Sequence, residues 1–368
     1  MRFMKNRILL LWAGVWAMFS CTVERTDRWG EERWDGIPAT ELTGERVGWD
    51  KPVFQEGEFL FAEDRMILEN DDAEQLFRVY RISRDSLLYA GSFLYQGRGP
   101  FELNTAEHFY DPLSRTLTLV GYNFMGKSIG IPLRPIENVF DYTTWNVCDY
   151  SELPPLMAYR IFPVSDSIYI TQPFDGRNSL FALYNIRTGN LKHLDMPYPD
   201  NNESVPLSQR AEAYIGHIRK HPLENRFVYS NSNSKLVILF DLDDDTVSRI
   251  SMPFRQIPEY VASGRDKVRF TANHDNGYQV VVTGSRIYCA DPRIDRMKRE
   301  ESIERNGFDA GYVREIYAMD WEGNPVARYR LDRPVCYVQP SPDDRYLYAF
   351  CTDKESLDPH IVRFSLPE

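Results

Sequence analysis

Leu236-Val237-Ile238-Leu239-Phe240-Asp241-Leu242 is the stretch that decides the fold, because it recurs. Leu180-Phe181-Ala182-Leu183-Tyr184-Asn185-Ile186 is one echo, and Leu76-Phe77-Arg78-Val79-Tyr80-Arg81-Ile82 is another. The two later copies stay aligned without a gap through Leu191 and Val247, then Leu194 and Ile250, to Met196-Pro197 and Met252-Pro253. They lie 56 residues apart, and the earlier pair 104 apart, close to twice that spacing. A repeat of this length built from strands means a propeller-like array, in which each unit buries its apolar faces against its neighbours.

A shorter motif repeats inside the same units. Asp111-Pro112-Leu113-Ser114-Arg115-Thr116-Leu117-Thr118-Leu119 aligns with His221-Pro222-Leu223-Glu224-Asn225-Arg226-Phe227-Val228-Tyr229. Ser341-Pro342-Asp343-Asp344-Arg345-Tyr346-Leu347-Tyr348 is a copy one residue shorter. Each reads as a tight turn in which the fixed φ of proline helps, followed by an alternating strand. Six four-stranded units are expected, at 52–96, 97–142, 155–197, 210–254, 268–333 and 334–366. The second is the weakest, its third strand resting on Met125 to Leu133. The fifth carries a charged insertion, Asp291 to Ala310, the one stretch that reads as a short helix. The sixth lacks a fourth strand before the chain ends at Glu368, and the stretch Glu41 to Val47 is expected to supply it and close the ring. The fold class is therefore all-β: a six-bladed propeller of four-stranded antiparallel blades over 41–368.

The 368 residues are 43% hydrophobic and 14% aromatic, enough for a sizeable core. Met1 to Ser20 reads as an export signal: Arg2, Lys5 and Arg7 precede an apolar stretch, Ile8 to Phe19, too short to span a bilayer. Removing it takes the formal charge from -11 to -14, since three cations leave. No Lys/Arg run remains, which argues against nucleic acid or an anionic membrane surface as partner. Cys21 follows the small Ser20, the arrangement of a bacterial lipoprotein signal, with Met18 where Leu is usual and Phe19 bulkier than usual. Lipid on Cys21 would hold the chain at a membrane without a transmembrane helix. Thr22 rather than Asp after it favours the outer membrane. Residues 21–40 read as a tether.

Three features together resemble the TolB-like six-bladed β-propeller lipoproteins of Gram-negative bacteria. Gly97-Arg98-Gly99-Pro100-Phe101-Glu102 is similar to that family's turn after the first blade. Tyr317-Ala318-Met319-Asp320-Trp321-Glu322-Gly323-Asn324-Pro325-Val326 is similar to an outer propeller hairpin, and the Cys21 signal is the third. The resemblance implies fold and location, and brings no catalytic residues with it.

Candidate sites are few. Gly97 to Glu102 lacks the following helix that a phosphate loop needs, so it reads as a blade connection; Arg98 and Glu102 remain candidates to face the channel. Asp241, Asp243, Asp244 and Asp245 lack the Gly and Glu of a calcium loop, with Thr246 and Met252 in those places, and fall in a hairpin turn. His217 and His221 have a helical metal spacing in a strand-turn context, and Ile218 stands where a zincin needs Glu. Trp145, in the irregular stretch Asp141 to Pro155, is a candidate to stack on a sugar. Cys336 and Cys351 flank a hairpin, which leaves two readings, a cross-strand bridge or two buried thiols. No cofactor, metal site or catalytic motif is expected, and there is no Gly-x-Ser-x-Gly elbow. The expected function is a non-catalytic binding or scaffold module for an envelope protein or glycan, on loops such as Pro197 to Gln209 and Arg255 to Lys267. The alternative is a hydrolase or lyase whose carboxylates converge in the central channel.

Overall fold

The computed structural model describes residues 31–52, 57–70, 74–83, 85–121, 126–153, 156, 158–265, 267–271, 277–292, 313–352 and 358–367. The signal, Cys21, Trp29 and nearly all of the 291–310 insertion lie outside these residues.

The fold is all-β and propeller-like, made of four-stranded antiparallel sheets. Phe59–Ala62, Arg65–Glu69, Gln75–Ser83 and Ser86–Gln96 pair in chain order. The same meander recurs as Ala106–Asp111, Thr116–Gly121, Lys127–Pro132 and Asn146–Asp149. It recurs again as Ala158–Pro163, Ile168–Pro173, Ala182–Asn185 and Leu191–His193. Gly216–Lys220, Arg226–Asn231, Leu236–Asp243 and Thr246–Arg255 form a further set. So do Gln279–Val282, Ile287–Asp291, Val313–Met319 and Pro325–Val335. Tyr337–Pro340, Tyr346–Thr352 and Pro359–Ser365 make three strands, and Gly44–Trp49 pairs antiparallel with the last of them, Gly44 opposite Phe364 and Val47 opposite Ile361. Gly44 is needed there: a Cβ would sit 2.3 Å from Val362 Cγ1.

The repeated apolar stretches are the third strands of their sheets. They are apolar on both faces because both faces are covered. In Leu236–Asp243 the first five residues are buried, and Phe240 stacks between Phe181 at 5.3 Å and Phe227 at 5.1 Å. Each sheet shares a core with the next. The set ending in Gly44–Trp49 shares one with the Phe59–Gln96 sheet through Val47, Tyr348, Phe350, Phe59, Met66 and Tyr80. The proline motifs all form one kind of turn between first and second strands. Asp111 accepts from the N–H groups of Leu113 and Ser114, His221 Nδ1 from those of Leu223 and Glu224, and Ser341 Oγ from that of Tyr346. Asp244 and Asp245 take positive φ in the hairpin after Leu236–Asp243, the turn read from the repeat.

The structure corrects three expectations. The described α-helix is Leu207–Ala213, inside a stretch read as loop; it is held by tertiary contacts, with Gln209 and Arg210 buried and Glu212 Oε2 accepting from Val268 N–H. Lys267–Phe270 pairs with Tyr260–Ser263 as a separate hairpin and not with the fifth sheet, whose first strand begins at Gln279. The segment read as the end of a tether is docked: Trp34 is 2% exposed against Phe254 and Tyr317, and Ala39–Leu42 pairs parallel with Pro325–Val335. Cys336 and Cys351 are thiols with no disulfide between them. The chain bends at Cys336, whose thiol packs on the side of Tyr337 and Phe350, while Cys351 packs on the opposite face with Val338, Ala349 and Val362.

Candidate functional site

First strands carry the chemistry. Phe59–Ala62, Ala106–Asp111, Ala158–Pro163, Gly216–Lys220, Gln279–Val282 and Tyr337–Pro340 all contribute residues to the wall of one cavity of about 390 Å³. Its volume lies in the range of small-molecule pockets. The turns that follow these strands give it an apolar mouth of Pro112, Pro222, Leu223, Pro340 and Pro342, with Leu223 60% exposed. The prolines that shape the repeated turn thus also collar the opening.

Ionisable groups gather deeper in the wall. Arg160 forms an ion pair with Glu107 and Arg219 with Glu58, the latter at 3.6 Å. His108 Nδ1 lies 3.1 Å from Glu69 Oε1. Burial raises the Glu107 carboxyl above its ordinary value, more than the adjacent Arg160 lowers it. Burial also pushes Glu58 upward, but Arg219, His217, His108 and Arg160 together bring it below the usual value. Burial, then the charges of Arg219 and Arg160, push the His217 imidazole down to about 4, so it is neutral at neutral pH. Burial likewise lowers the Lys220 ammonium, opposed by Asp111. Phe109, Phe162 and Arg219 line both the large cavity and a small void bordered by Glu107, Arg160 and His217. These three side chains therefore form the partition between the apolar chamber and the charged cluster. Phe109 and Phe162 meet edge to face at 4.7 Å.

The residues singled out from sequence lie elsewhere. Glu102 folds back on its own turn, where Oε2 accepts from Gly99 N–H at 2.8 Å; Lys127 Nζ donates to Gly99 O, and Arg98 is exposed. None of them lines the cavity. A Cβ on Gly97 would stand 2.1 Å from Glu102 Oε2, so a side chain there would displace the Glu102 carboxylate from its turn. Trp145 is a core residue and not a stacking platform: it is buried against Phe93 and Phe101, and its Nε1 donates to Asn138 O at 2.9 Å. His217 and His221 separate, one to the channel and one to a turn where its Nε2 meets Gly284 O. The loops 197–209 and 255–267 are tied to one another, with the hydroxyls of Tyr214 and Tyr260 and the Arg210 guanidinium all on Asp200. Among the described residues no three His, Cys, Asp or Glu side chains are placed to share a metal ion.

Glu58, Glu107, Arg160, Arg219 and Gln279 escaped the sequence reading because each comes from a different strand or unit. A signal was present. Counting back three residues from the turn prolines Pro112, Pro222 and Pro342 gives Phe109, Arg219 and Gln339, and all three line the cavity.

Two solved structures match over nearly their whole length. A DUF4221 family member from Bacteroides vulgatus has a TM-score of 0.54 at 12% identity, covering 89% of this chain and 97% of that one. A putative exported protein from Bacteroides fragilis has a TM-score of 0.51 at 10% identity, covering 91% and 97%. At such identities the likeness is one of fold. The comparison with curated proteins gave no match. The family model for TolB-like 6-blade propeller-like proteins matches residues 59–339, most of the chain, and the chain belongs to that family.

Proposed function

We propose that this chain is an exported envelope lipoprotein, lipidated on Cys21 and held at the outer membrane. Its six-bladed propeller, closed by Gly44–Trp49, holds a ligand in the central channel without transforming it. The observation that carries the reading is the channel itself: a cavity of about 390 Å³ with an open apolar mouth, where Glu58 in the wall and Glu107 behind the partition each face an arginine. Charges matched in this way shape and orient a pocket more readily than they turn over a substrate. The short signal ahead of Cys21 supports export, as does the likeness of fold to a protein described as exported. The partner is an envelope protein or glycan reached through the channel mouth.

The test is cross-linking in intact envelopes, followed by purification of the Cys21-anchored protein beside a Gln339→Trp variant that fills the cavity from its wall. One recurrent ligand or partner, lost in Gln339→Trp, is expected. Equal recovery with both forms would remove the channel from the reading, and recovery of the protein alone would remove the reading itself.

A hydrolase or lyase is the second reading, favoured by one observation. Glu107 is raised and His217 lowered, both chiefly by burial, so a carboxyl that holds its proton more tightly and a neutral imidazole border one void. Turnover of a glycan or ester substrate that disappears in Glu107→Gln would establish it.

A further inference from the structure

Arg219 stands at the inner end of the apolar chamber with most of its hydrogen-bonding capacity unspent. A guanidinium has five N–H donors. Among the described residues Arg219 makes one hydrogen bond, to the carbonyl of its neighbour Ile218 at 3.1 Å. Its contact with Glu58, at 3.6 Å, is an ion pair beyond hydrogen-bond distance. A second group nearby is also unmet. Gln279 Oε1 is buried with no hydrogen-bond partner among the described residues, and Gln279 lines the same cavity on the strand next to that of Arg219. A buried acceptor left bare is costly, and a bound donor would recover that cost. The rest of the wall is mixed: Phe61, Phe109, Phe162, Val281 and Leu223 give it an apolar side, while Glu58, His108, Lys220, Thr283 and Gln339 also line it.

We propose that the channel is a binding site for a small carboxylate amphiphile. Its carboxylate takes the unspent donors of Arg219. An N–H or O–H beside that carboxylate satisfies Gln279 Oε1, and an acyl or aromatic body fills the apolar chamber toward the mouth. A planar guanidinium matches a carboxylate with two parallel N–H bonds, which is why the head is a carboxylate and not a point anion. The chemical class is that of an N-acyl amino acid. The inference rests on the channel being the binding site.

Calorimetric titration of the protein with N-octanoylglycine, and with its neutral amide N-octanoylglycinamide, tests it. The acid is expected to bind at least tenfold tighter than the amide, the scale of one charge-assisted bond pair. Arg219→Met, which keeps the aliphatic stem, should bring the acid down to the level of the amide. Gln279→Met should weaken both probes several-fold. Glu58→Gln removes the competing carboxylate without deleting the cation, and should tighten the acid several-fold while leaving the amide unchanged. Thermal melts of each variant confirm folding. Equal binding of acid and amide, no response to Glu58→Gln, or no binding of either probe would overturn the assignment. If the probes fail while the envelope partner is still lost in Gln339→Trp, the channel reading survives and only the ligand class falls. If both fail, neither stands.

Discussion

Third strands and first strands of the same sheets teach opposite lessons. The third strands Gln75–Ser83, Ala182–Asn185 and Leu236–Asp243 look alike because each occupies the same place, covered on both faces by neighbouring sheets. One environment selects one pattern, so the pattern repeats in sequence. First strands share a place too, but one of their sides faces a shared cavity. At that cavity, or at the small void behind its partition, each contributes a different chemistry: Glu107 and His108 on one, Arg160 on the next, His217 and Arg219 on the third, Gln279 on the fourth. Repetition reports packing, and departure from repetition reports the site.

The sharpest way to break this contrast is to truncate one aromatic ring in each class. Phe240 is fully buried and stacked on two rings, so Phe240→Ala should cost about 3–5 kcal/mol in urea unfolding. Phe109 lines the cavity and is half-buried, so Phe109→Ala removes fewer contacts and enlarges a space that already exists. Its cost should be about 1–2 kcal/mol, with the larger change falling on ligand binding. Equal losses from the two would mean that first strands are as much core as third strands.

Trp34 extends the comparison to the N-terminal segment. It lies outside every repeat, yet it packs with Val228, Val237, Phe254, Ile287 and Tyr317. Trp34→Ala should cost about 3 kcal/mol, at the low end for an aromatic truncation, because the polar segment around it can partly close over the gap. Together with cleavage near residue 40 by a protease that spares the wild type, such a loss would show that residues 31–42 belong to the folded body. A melting point unchanged from wild type would return them to the tether.

The sequence made legible the meander and the turn chemistry, because each depends on neighbours a few residues away or on a repeated environment. The alignment of Asp111, His221 and Ser341 led directly to one turn in which three different side chains accept backbone N–H groups. The helix Leu207–Ala213 was not legible, since Pro206 gives it no side-chain cap, its buried Gln209 is held by the distant Arg265 carbonyl and its Arg210 folds back on Val205 O. Cys336 kept two readings for a similar reason: strand alternation places it across from Cys351, and a bend that alternation does not encode turns its thiol to the other face. The site was hidden in the same way. The ion pairs Glu58–Arg219 and Glu107–Arg160 join residues 161 and 53 positions apart, and only the packing of separate sheets brings them together.

The channel also gives the gentlest test of the contrast, through pH. An unfolded histidine titrates near 6.5, whereas His217 in the folded protein is pushed down to about 4 by burial and by Arg219 and Arg160. As pH falls through 6.5 the unfolded chain takes up a proton that the folded chain refuses. The stabilising contribution of His217 is therefore full above about pH 6.5 and is lost as pH falls toward 4. Glu58, lowered in the folded state, loses its contribution only at still more acid pH; Glu107, raised, works in the opposite sense, favouring the fold as it takes up its proton. The His217 effect is cleanest between pH 7 and pH 5.5, before the carboxylates enter. Over that range wild type should lose on the order of 1 kcal/mol more than His217→Gln, read as a steeper fall of melting temperature. The same substitution at the turn histidine, His221→Gln, should lower the melting point, because His221 acts there through hydrogen bonds to Leu223, Glu224 and Gly284. Parallel slopes for wild type and His217→Gln would place His217 in contact with water, and would open the charged floor of the channel to solvent from the other side.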